Sequence, residues 1–519
     1  MIRNLRAASA IARADFRQRT RSYAFPVALA LTCWLGWLTS EGTVRVELGP
    51  WRGVLDTAWI GGSLAIVAST FLSLFGGWLV RGTLARDRET GVGEILATTP
   101  LTSPAYLLGK WLSHAVYLGS LALILGVLAV FMLARHAEAP GFDLARLWLP
   151  MLLIALPSLA FVAGLAVVFE VLPVLRGSFG NVAWLFVWAM IFVLSLSGSA
   201  AFDFSGLAVT RASLRADLQV TKGVDEERIR VGGGPRRASQ TFVWHGFDWT
   251  PDLVASRIVW VGVGGLLALA AVPFFDRFDP TRRRRRAFGP ISAAETTEPT
   301  STVSHDEGTI GQGRADARFS AQDLPNAIRG PSFPALVRGQ LRIALRGRAR
   351  IFWAGTIALV VASFISAPAQ TPPVALTFLW PILLWSRLGA PEAAVGAVLA
   401  SCPGPVRRPL LAAFVGGSLM GALFVAGPIA RASWAGEGPA VAAGLVAAVF
   451  PPALALALGA WAGTPRPFEA LYTCLWYVGA QTPLLDFMGA TAAPNPWPFA
   501  ASVPVLLAVG AAGRSRALR

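Results

Sequence analysis

The chain has little charge for its length and few residues of the kinds that build metal sites. Asp, Glu, Lys and Arg together make up 14% of its 519 residues, whereas hydrophobic residues make up 54%. A soluble protein of this size needs more charge to cover its surface, so most of the chain is expected to face lipid. The four His residues are scattered and have no metal-site spacing. The sequence therefore predicts no metal site and no bound cofactor.

Cysteine is also scarce, and two catalytic patterns are missing. Cys33, Cys402 and Cys474 stand far apart, inside or beside apolar segments, so no disulfide framework is expected. Gly109-Lys110 is not followed by Ser or Thr and is not preceded by a Gly at the spacing of a phosphate-binding loop. Any ATP hydrolysis must then come from another polypeptide. No pairing of His with Glu, Ser with Lys, or two Asp at one membrane depth supports an intramembrane enzyme, and nothing supports a scaffold.

The positive charge is carried almost entirely by arginine. Only Lys110 and Lys222 are lysines among the 45 basic residues, and the net charge is +16. Arginine clusters beside apolar runs indicate membrane topology, and no nucleic-acid partner is expected. With the N-terminus in the cytoplasm, 32 of the 45 basic residues fall on the cytoplasmic side and 13 on the other. The sequence predicts a multi-pass protein of a bacterial cytoplasmic (inner) membrane with both termini cytoplasmic and residues 24–40 as a retained first span.

Apolar stretches recur along the chain, and a bilayer-spanning helix needs about 20 such residues. The short pair near residues 351 and 373 forms either two spans or one re-entrant hairpin. The sequence therefore predicts an all-α integral membrane protein with about twelve transmembrane helices. The candidate stretches are roughly 24–40, 57–80, 105–133, 147–172, 181–201, 255–275, 351–368, 373–387, 408–430, 440–463, 469–490 and 497–513.

A short sequence near residue 90 is repeated near residue 393, and this repetition predicts a tandem repeat. Residues 89–100 align without gaps to residues 392–403 at an offset of 303, and six of the twelve positions are identical. Basic amphipathic stretches at 1–22 and 333–350 precede the two halves and are expected to lie in the membrane interface. The predicted units are a six-helix module at 1–280 with an outer loop at 202–254, a cytoplasmic Arg-rich and disordered linker at 281–332, and a second six-helix module at 333–519. The aromatic end of the outer loop, from Phe242 to Trp249, is expected to rest on the membrane surface.

The first copy of the repeated segment carries a family resemblance. Its charged run from residue 86 leads through Glu89, Gly93, Leu96 and Pro100 to Gly109-Lys110 at the start of the next apolar stretch. This pattern resembles the coupling-helix region of the ABC transporter type-2 exporter permeases, here in a fused double-length form. The resemblance implies a permease subunit that is not itself an enzyme. It implies a separate ATPase partner, a homodimer that uses ATP and Mg, and efflux of a hydrophobic or amphipathic small molecule.

The resemblance also implies which residues contact the ATPase. The charges of the first copy are expected to meet the partner, while Val92, Ile95 and Leu96 dock on the bundle. The second copy has lost most of its charge, since Glu94 is matched by Ala397, so the first copy is expected to dominate. The ATPase-coupling candidates are Arg86, Asp87, Arg88, Glu89, Gly93, Glu94 and Pro100, with Glu392, Gly396 and Pro403 in the second copy.

A secondary transporter of the major facilitator superfamily, driven by a proton gradient, is the alternative. Twelve spans in two halves suit that class, and the run from Gly82 to Arg88 resembles its G-x-L-x-D-R signature with one residue inserted. The loop here is longer than a tight facilitator turn, and the second copy of the repeat does not share the Gly-x-Leu part. These two observations favour the ABC-type interpretation.

A few single ionisable residues lie near the ends of predicted spans and are further candidates for functional residues. Glu170, Glu469 and Asp486 are expected to be shallow and interfacial, the first two beside neighbouring arginines. His114 is expected to be a hydrogen-bonded structural residue. Little buried charge is expected, and this favours a hydrophobic or amphipathic cargo over an ion.

Overall fold

The chain is mostly helical, with one small β-sheet, in the computed structural model. The described residues are 2–22, 24–176, 178–196, 202–232, 240–278, 332–345, 350–365, 372–389, 407–479, 485–491 and 493–517. Within them, seven helices are long and apolar enough to cross a membrane, or eight if the bent pair Arg6–Thr20 and Phe25–Ser40 forms one span. A helical architecture of the membrane-embedded type is therefore confirmed. The seven are Thr57–Glu89, Ser103–His136, Leu144–Val171, Pro251–Phe274, Arg408–Trp434, Gly438–Ala462 and Trp497–Arg516.

Three other predicted spans are shorter apolar helices: Ala183–Leu196, Phe352–Ile365 and Leu376–Trp385. The number twelve thus stays a prediction.

The first half contains twelve helices and four strands among the described residues. The π-helical turn Ala68–Leu72 joins α3 to α4, and the π-helical turn Met151–Ala155 joins α8 to α9. Each pair therefore forms one continuous helix. The elements are α1 (Ile2–Thr20), α2 (Ala24–Ser40), β1 (Arg45–Leu48), β2 (Trp51–Gly53), α3 (Thr57–Val67), α4 (Ser73–Val80), α5 (Thr83–Glu89), α6 (Val92–Thr98), α7 (Ser103–His136), α8 (Leu144–Pro150), α9 (Leu156–Val171), α10 (Ser178–Leu196), α11 (Leu207–Lys222), β3 (Ile229–Gly232), β4 (Gln240–Phe242) and α12 (Pro251–Ala270).

The described part of the second half is entirely helical. The second copy of the repeated segment, with Glu392, Gly396 and Pro403, lies outside the described residues, and so does the predicted linker up to residue 331. The elements are α13 (Phe333–Leu345), α14 (Arg350–Ile365), α15 (Pro372–Leu379), α16 (Ile382–Trp385), α17 (Arg407–Trp434), α18 (Gly438–Ala462), α19 (Arg466–Gly479) and α20 (Trp497–Ala517).

Helix packing in each half is close and mostly apolar. In the first half, α1 and α2 lie against α7, α7 lies against α9, and α9 lies against α12. The α9–α12 contact depends on glycine, because a Cβ on Gly164 would overlap the carbonyl oxygen of Gly264. In the second half, α13 and α14 lie against α17, α17 against α18, and α18 against α20. Leu379 of α15 belongs to the core of the first half, so the two halves share buried surface.

The β-sheet lies at the end of the bundle opposite to α5 and α6. Its strand order is β3-β1-β2-β4, with β1 antiparallel to both of its neighbours and β2 parallel to β4. The sequence predicted an outer loop at 202–254 but not this sheet, whose two central strands come from the α2–α3 connection. The expectation that its aromatic end rests on the membrane surface is wrong for Phe242, Trp244 and Phe247, because all three are buried in a core with Trp59.

Candidate functional site

The first copy of the repeated segment and the residues just before it form two short helices between α4 and α7. Gly82, with a left-handed φ of +98°, turns the chain from α4 into α5, and Gly91, with φ of +73°, separates α5 from α6. The side chain of Thr102 then caps α7 by accepting from the backbone N–H of Ala105 at 3.4 Å. The charged run from residue 86 is therefore divided between two helices at a glycine.

The buried carboxylate of Glu170, on α9, holds the start of α5. Its Oε1 accepts from the backbone N–H groups of Gly82 and Thr83, the latter at 3.2 Å. Its Oε2 accepts from the N–H of Leu84 at 2.9 Å and from Thr83 Oγ1 at 3.1 Å. A buried carboxylate is tolerable here because a helix N-terminus offers several unpaired donors. Glu170 is the last but one residue of α9 and is buried, and the predicted neighbour Arg176 donates to its backbone carbonyl at 3.0 Å. Its depth in the membrane stays a prediction.

His114 lies next to this cap and is fully buried. Its Nε2 is 3.4 Å from Thr83 Oγ1 and 4.0 Å from Glu170 Oε1. The buried placement with a polar partner agrees with the prediction, and the structural role itself stays a prediction.

Asp15, on α1, is the centre of a buried ion cluster. Its carboxylate accepts from Arg19 at 3.0 Å, Arg86 at 2.8 Å, Lys110 at 3.2 Å and Ser113 Oγ at 2.5 Å. The Asp15 side chain is only 4% exposed, and its charge is offset by three cations. Three separate helices, α1, α5 and α7, are joined at this carboxylate.

Asp87, on α5, extends the cluster. It lies 2.8 Å from Lys110 Nζ and accepts from the Tyr106 hydroxyl at 2.5 Å. Lys110 thus bridges Asp15 and Asp87, and α5 is fixed to α7 along its inner face.

The end of α5 is fixed by a second ion pair. Arg88 Nη2 donates to Asp276 Oδ1 at 2.9 Å, and Arg176 Nη1 lies 3.5 Å from Asp276 Oδ2. Burial raises the pKa of Asp276, but the two guanidinium groups and hydrogen bonds outweigh it and leave that pKa below its usual value. Arg277 adds bonds to the backbone carbonyls of Thr99 and Leu101, each at 3.1 Å. The segment after α12 therefore holds the end of α5 and the residues that follow α6.

The candidate coupling residues fall into two sets. Arg86, Asp87 and Arg88 are paired within the chain, and Gly93 is buried where a Cβ would strike the Phe278 ring. The side chains that α5, α6 and the following turn expose are Glu89, Thr90, Val92, Glu94, Ile95, Thr98 and Pro100.

The expected docking of Val92 and Ile95 on the bundle is wrong. They are 43% and 67% exposed. Of the three apolar residues, only Leu96 packs inward. Because Gly93 and Leu96 share one helix face and Phe278 occupies it, the remaining residues of this two-turn helix point outward.

The other acids expected to be shallow are also buried. Glu469 is 1% exposed and accepts a hydrogen bond from the Ser386 hydroxyl. Asp486 is 0% exposed and accepts from backbone N–H groups that include Met488 at 3.0 Å and Thr491 at 2.6 Å. With Asp15 and Lys110, they show that the expectation of little buried charge was wrong.

Sequence reasoning missed Asp15 and Asp276, and it named Lys110 only as part of the family pattern and not as a partner of Asp15. A signal existed for two of them: Asp15 is the one acid among six arginines in residues 1–22, and Lys110 is one of two lysines in the chain. For Asp276 the sequence carries no comparable signal.

The described residues contain no group of three His, Cys, Asp or Glu side chains placed to hold a metal ion. A recess between α6 and α7 is lined by Leu96, Leu101, Tyr106, Phe275 and Arg277, among others. No protein-family model and no curated protein matches the chain.

Proposed function

We propose that this chain is the membrane-spanning permease subunit of an ATP-driven ABC exporter, and that α5 and α6 dock a separate ATPase subunit. One observation carries the proposal. The α5–α6 segment is fixed to the bundle by ion pairs on its inner side and presents an acidic and apolar face on its outer side.

The inner ion pairs suit a rigid lever. Asp15, Asp87, Glu170 and Asp276 connect α5 to α1, α7, α9 and the segment after α12. Buried pairs of this kind hold one geometry, because breaking any of them leaves an uncompensated charge. A push on α6 would therefore be passed to the bundle as a rigid-body movement rather than absorbed locally.

The outer face has the chemistry of a docking surface. Val92 and Ile95 are exposed aliphatic side chains on a helix of seven residues, and the exposed acids Glu89 and Glu94 flank them. Apolar anchors at the centre of a patch carry most binding energy in protein interfaces, and charges at the rim steer association. The face fits a partner with an apolar pocket edged by basic groups.

The predicted tandem repeat of two six-helix modules receives support from matching contacts. In both halves the leading amphipathic helix and the first apolar helix lie against the same later helix, α7 or α17. Thr83 donates to Glu170, and Ser386, 303 positions after Thr83, donates to Glu469. The hydroxyl therefore recurs at the offset of the sequence repeat, and the carboxylate that accepts from it recurs at an offset of 299.

The mechanism that follows is alternating access. The α5–α6 end of the bundle would face the cytoplasm, with both termini on that side of a bacterial inner membrane. Closure of the ATPase dimer on ATP and Mg would push on α6 and reorient the two modules. The chain would bind neither nucleotide nor metal, and its cargo would be a hydrophobic or amphipathic small molecule.

A proton-driven facilitator is the second candidate, and one observation favours it. Asp15, Lys110, His114 and Glu170 form a buried cluster of ionisable groups within one helical bundle. Such clusters serve as proton relays in secondary transporters.

Affinity purification of the tagged chain from its native membrane, followed by mass spectrometry, separates the two candidates. The parent and Val220→Asp, a matched control at an exposed aliphatic residue of α11, are expected to bring a stoichiometric ATPase. Ile95→Asp is expected to lose it while remaining folded. A chain that purifies alone and transports with a proton gradient but without ATP would support the facilitator and overturn the exporter.

A further inference from the structure

The start of α5 contacts the second half of the chain as well as the first. A Cβ on Gly82 would overlap the guanidinium group of Arg466, the first residue of α19. Gly82 is also the residue whose N–H donates to Glu170. Gly82, at the start of α5, thus donates a hydrogen bond to α9 of the first half and is in contact with α19 of the second.

Four charged side chains, two from each half, lie around this contact: Arg81 and Glu170 of the first half, and Arg466 and Glu469 of the second. Arg81 is attracted by Glu170 of its own half and also by Glu469 of the second. Arg466, in the second half, is attracted by Glu170 in the first. The two acids and Arg81 are all below 9% exposed. Arg81 and Arg466 repel each other, and the two carboxylates offset that repulsion.

Arg81 is itself fixed in place. It donates to the backbone carbonyls of Leu175 at 2.7 Å and Gly180 at 3.2 Å, and it lies over the Phe169 ring at 5.2 Å. The helices that carry the cluster, α4 and α19, pack directly against each other. A displacement of α5 therefore reaches α19 through side chains that have little freedom of their own.

We propose that the Arg81–Glu170–Arg466–Glu469 cluster is a relay by which α5 moves the second half. The inference rests on the proposed function and deepens it. The second copy of the coupling segment has Ala397 in place of Glu94, and Gly-Ala-Pro in place of Arg86-Asp87-Arg88. One ATPase-facing segment then drives both halves, directly through α5 in the first and through Arg466 and Glu469 in the second.

The test uses the full chain purified with its ATPase and reports movement between the halves. Spin labels are placed at Val220→Cys on α11 and Glu437→Cys before α18, both at exposed positions, with the three native cysteines replaced by alanine. The distance between the labels is measured without nucleotide and with ATP trapped. Arg466→Met and Glu469→Gln remove one charge each, whereas Arg466→Lys retains it. None of the three alters the exposed face of α6.

In the parent and in Arg466→Lys, ATP is expected to shift the distance. In Arg466→Met and Glu469→Gln, the ATPase is expected to remain bound and to hydrolyse ATP, but the shift is lost. A purely structural role would instead lower the yield of folded chain in all assays together. A shift of parental size in both charge-removing variants would overturn the relay. Absence of any ATPase from the parent would overturn the proposed function, and the relay with it.

Discussion

The Glu170 carboxylate accepts a hydrogen bond from the backbone N–H of Leu84 at 2.9 Å, so a residue of α9 caps the first turn of α5. Together with its bonds to the two preceding N–H groups, this contact replaces a local capping side chain. The orientation of α5 is therefore set by α9, which lies about 80 positions later in the chain.

Replacing this cap is expected to loosen α5 before the rest of the bundle. In Glu170→Gln the amide nitrogen faces backbone donors, so about 1–3 kcal/mol of stabilisation is lost. Hydrogen exchange measured by mass spectrometry should become faster in residues 83–90. Glu437→Gln, at an exposed glutamate between α17 and α18, is the control. Unchanged exchange in Glu170→Gln would show that the cap does not hold α5.

Asp15→Asn is expected to destabilise the first half strongly. Its neutral amide leaves the nearby cations Arg19, Arg86 and Lys110 without their shared carboxylate. Breaking a buried ion pair from one side costs about 3–5 kcal/mol. Thermal unfolding in detergent measures the loss, with the exposed Arg13→Gln on the same helix as control, expected within about 0.5 kcal/mol of the parent. Equal melting temperatures for the two variants would contradict the central role of Asp15.

How much the sequence predicted depends on the type of interaction. Apolar runs predicted the helical membrane architecture because a span must be continuous and local in sequence. Asp15 belonged visibly to an amphipathic helix, but its partners lie about 70 and 95 positions away. Pairings of that range depend on how helices pack, and one sequence does not encode them in any local period.

The same limit applies to which side of α6 faces outward. Because Val92, Ile95 and Leu96 are all apolar, hydrophobicity alone predicts that all three face the bundle. In the structure the Phe278 ring packs against Gly93, so the side of α6 that carries Gly93 and Leu96 faces the bundle. The outer sheet was missed for a related reason, since β1 and β2 are short and pair with strands about 180 positions later.

Charge reversal should separate folding from partner binding within α5. Arg86→Glu replaces the cation that lies 2.8 Å from the Asp15 carboxylate with an acid, and it is expected to lower the melting temperature of the chain. Glu89 is exposed, so Glu89→Lys should leave melting unchanged and weaken ATPase binding by about tenfold, or about 1.4 kcal/mol. Melting and binding are measured on the same preparations, with Glu437→Lys as the surface control. Loss of binding without loss of stability in Arg86→Glu would place Arg86 at the partner interface instead.

Acid pH should weaken the clamp between Arg88 and Asp276. Because the folded-state pKa of Asp276 is lowered by Arg88 and Arg176, its contribution to stability is complete above its unfolded pKa of about 4. That contribution is lost as pH falls through the lower folded-state pKa. Asp276→Asn should therefore be less stable than the parent at pH 7, by about 1–3 kcal/mol in the free energy of unfolding. This difference in stability should disappear in strongly acidic buffer. Asp248→Asn, at an exposed aspartate, should show no such convergence. A gap for Asp276→Asn that stays constant from pH 7 to acid would mean that packing, and not the ion pair, joins α5 to the segment after α12.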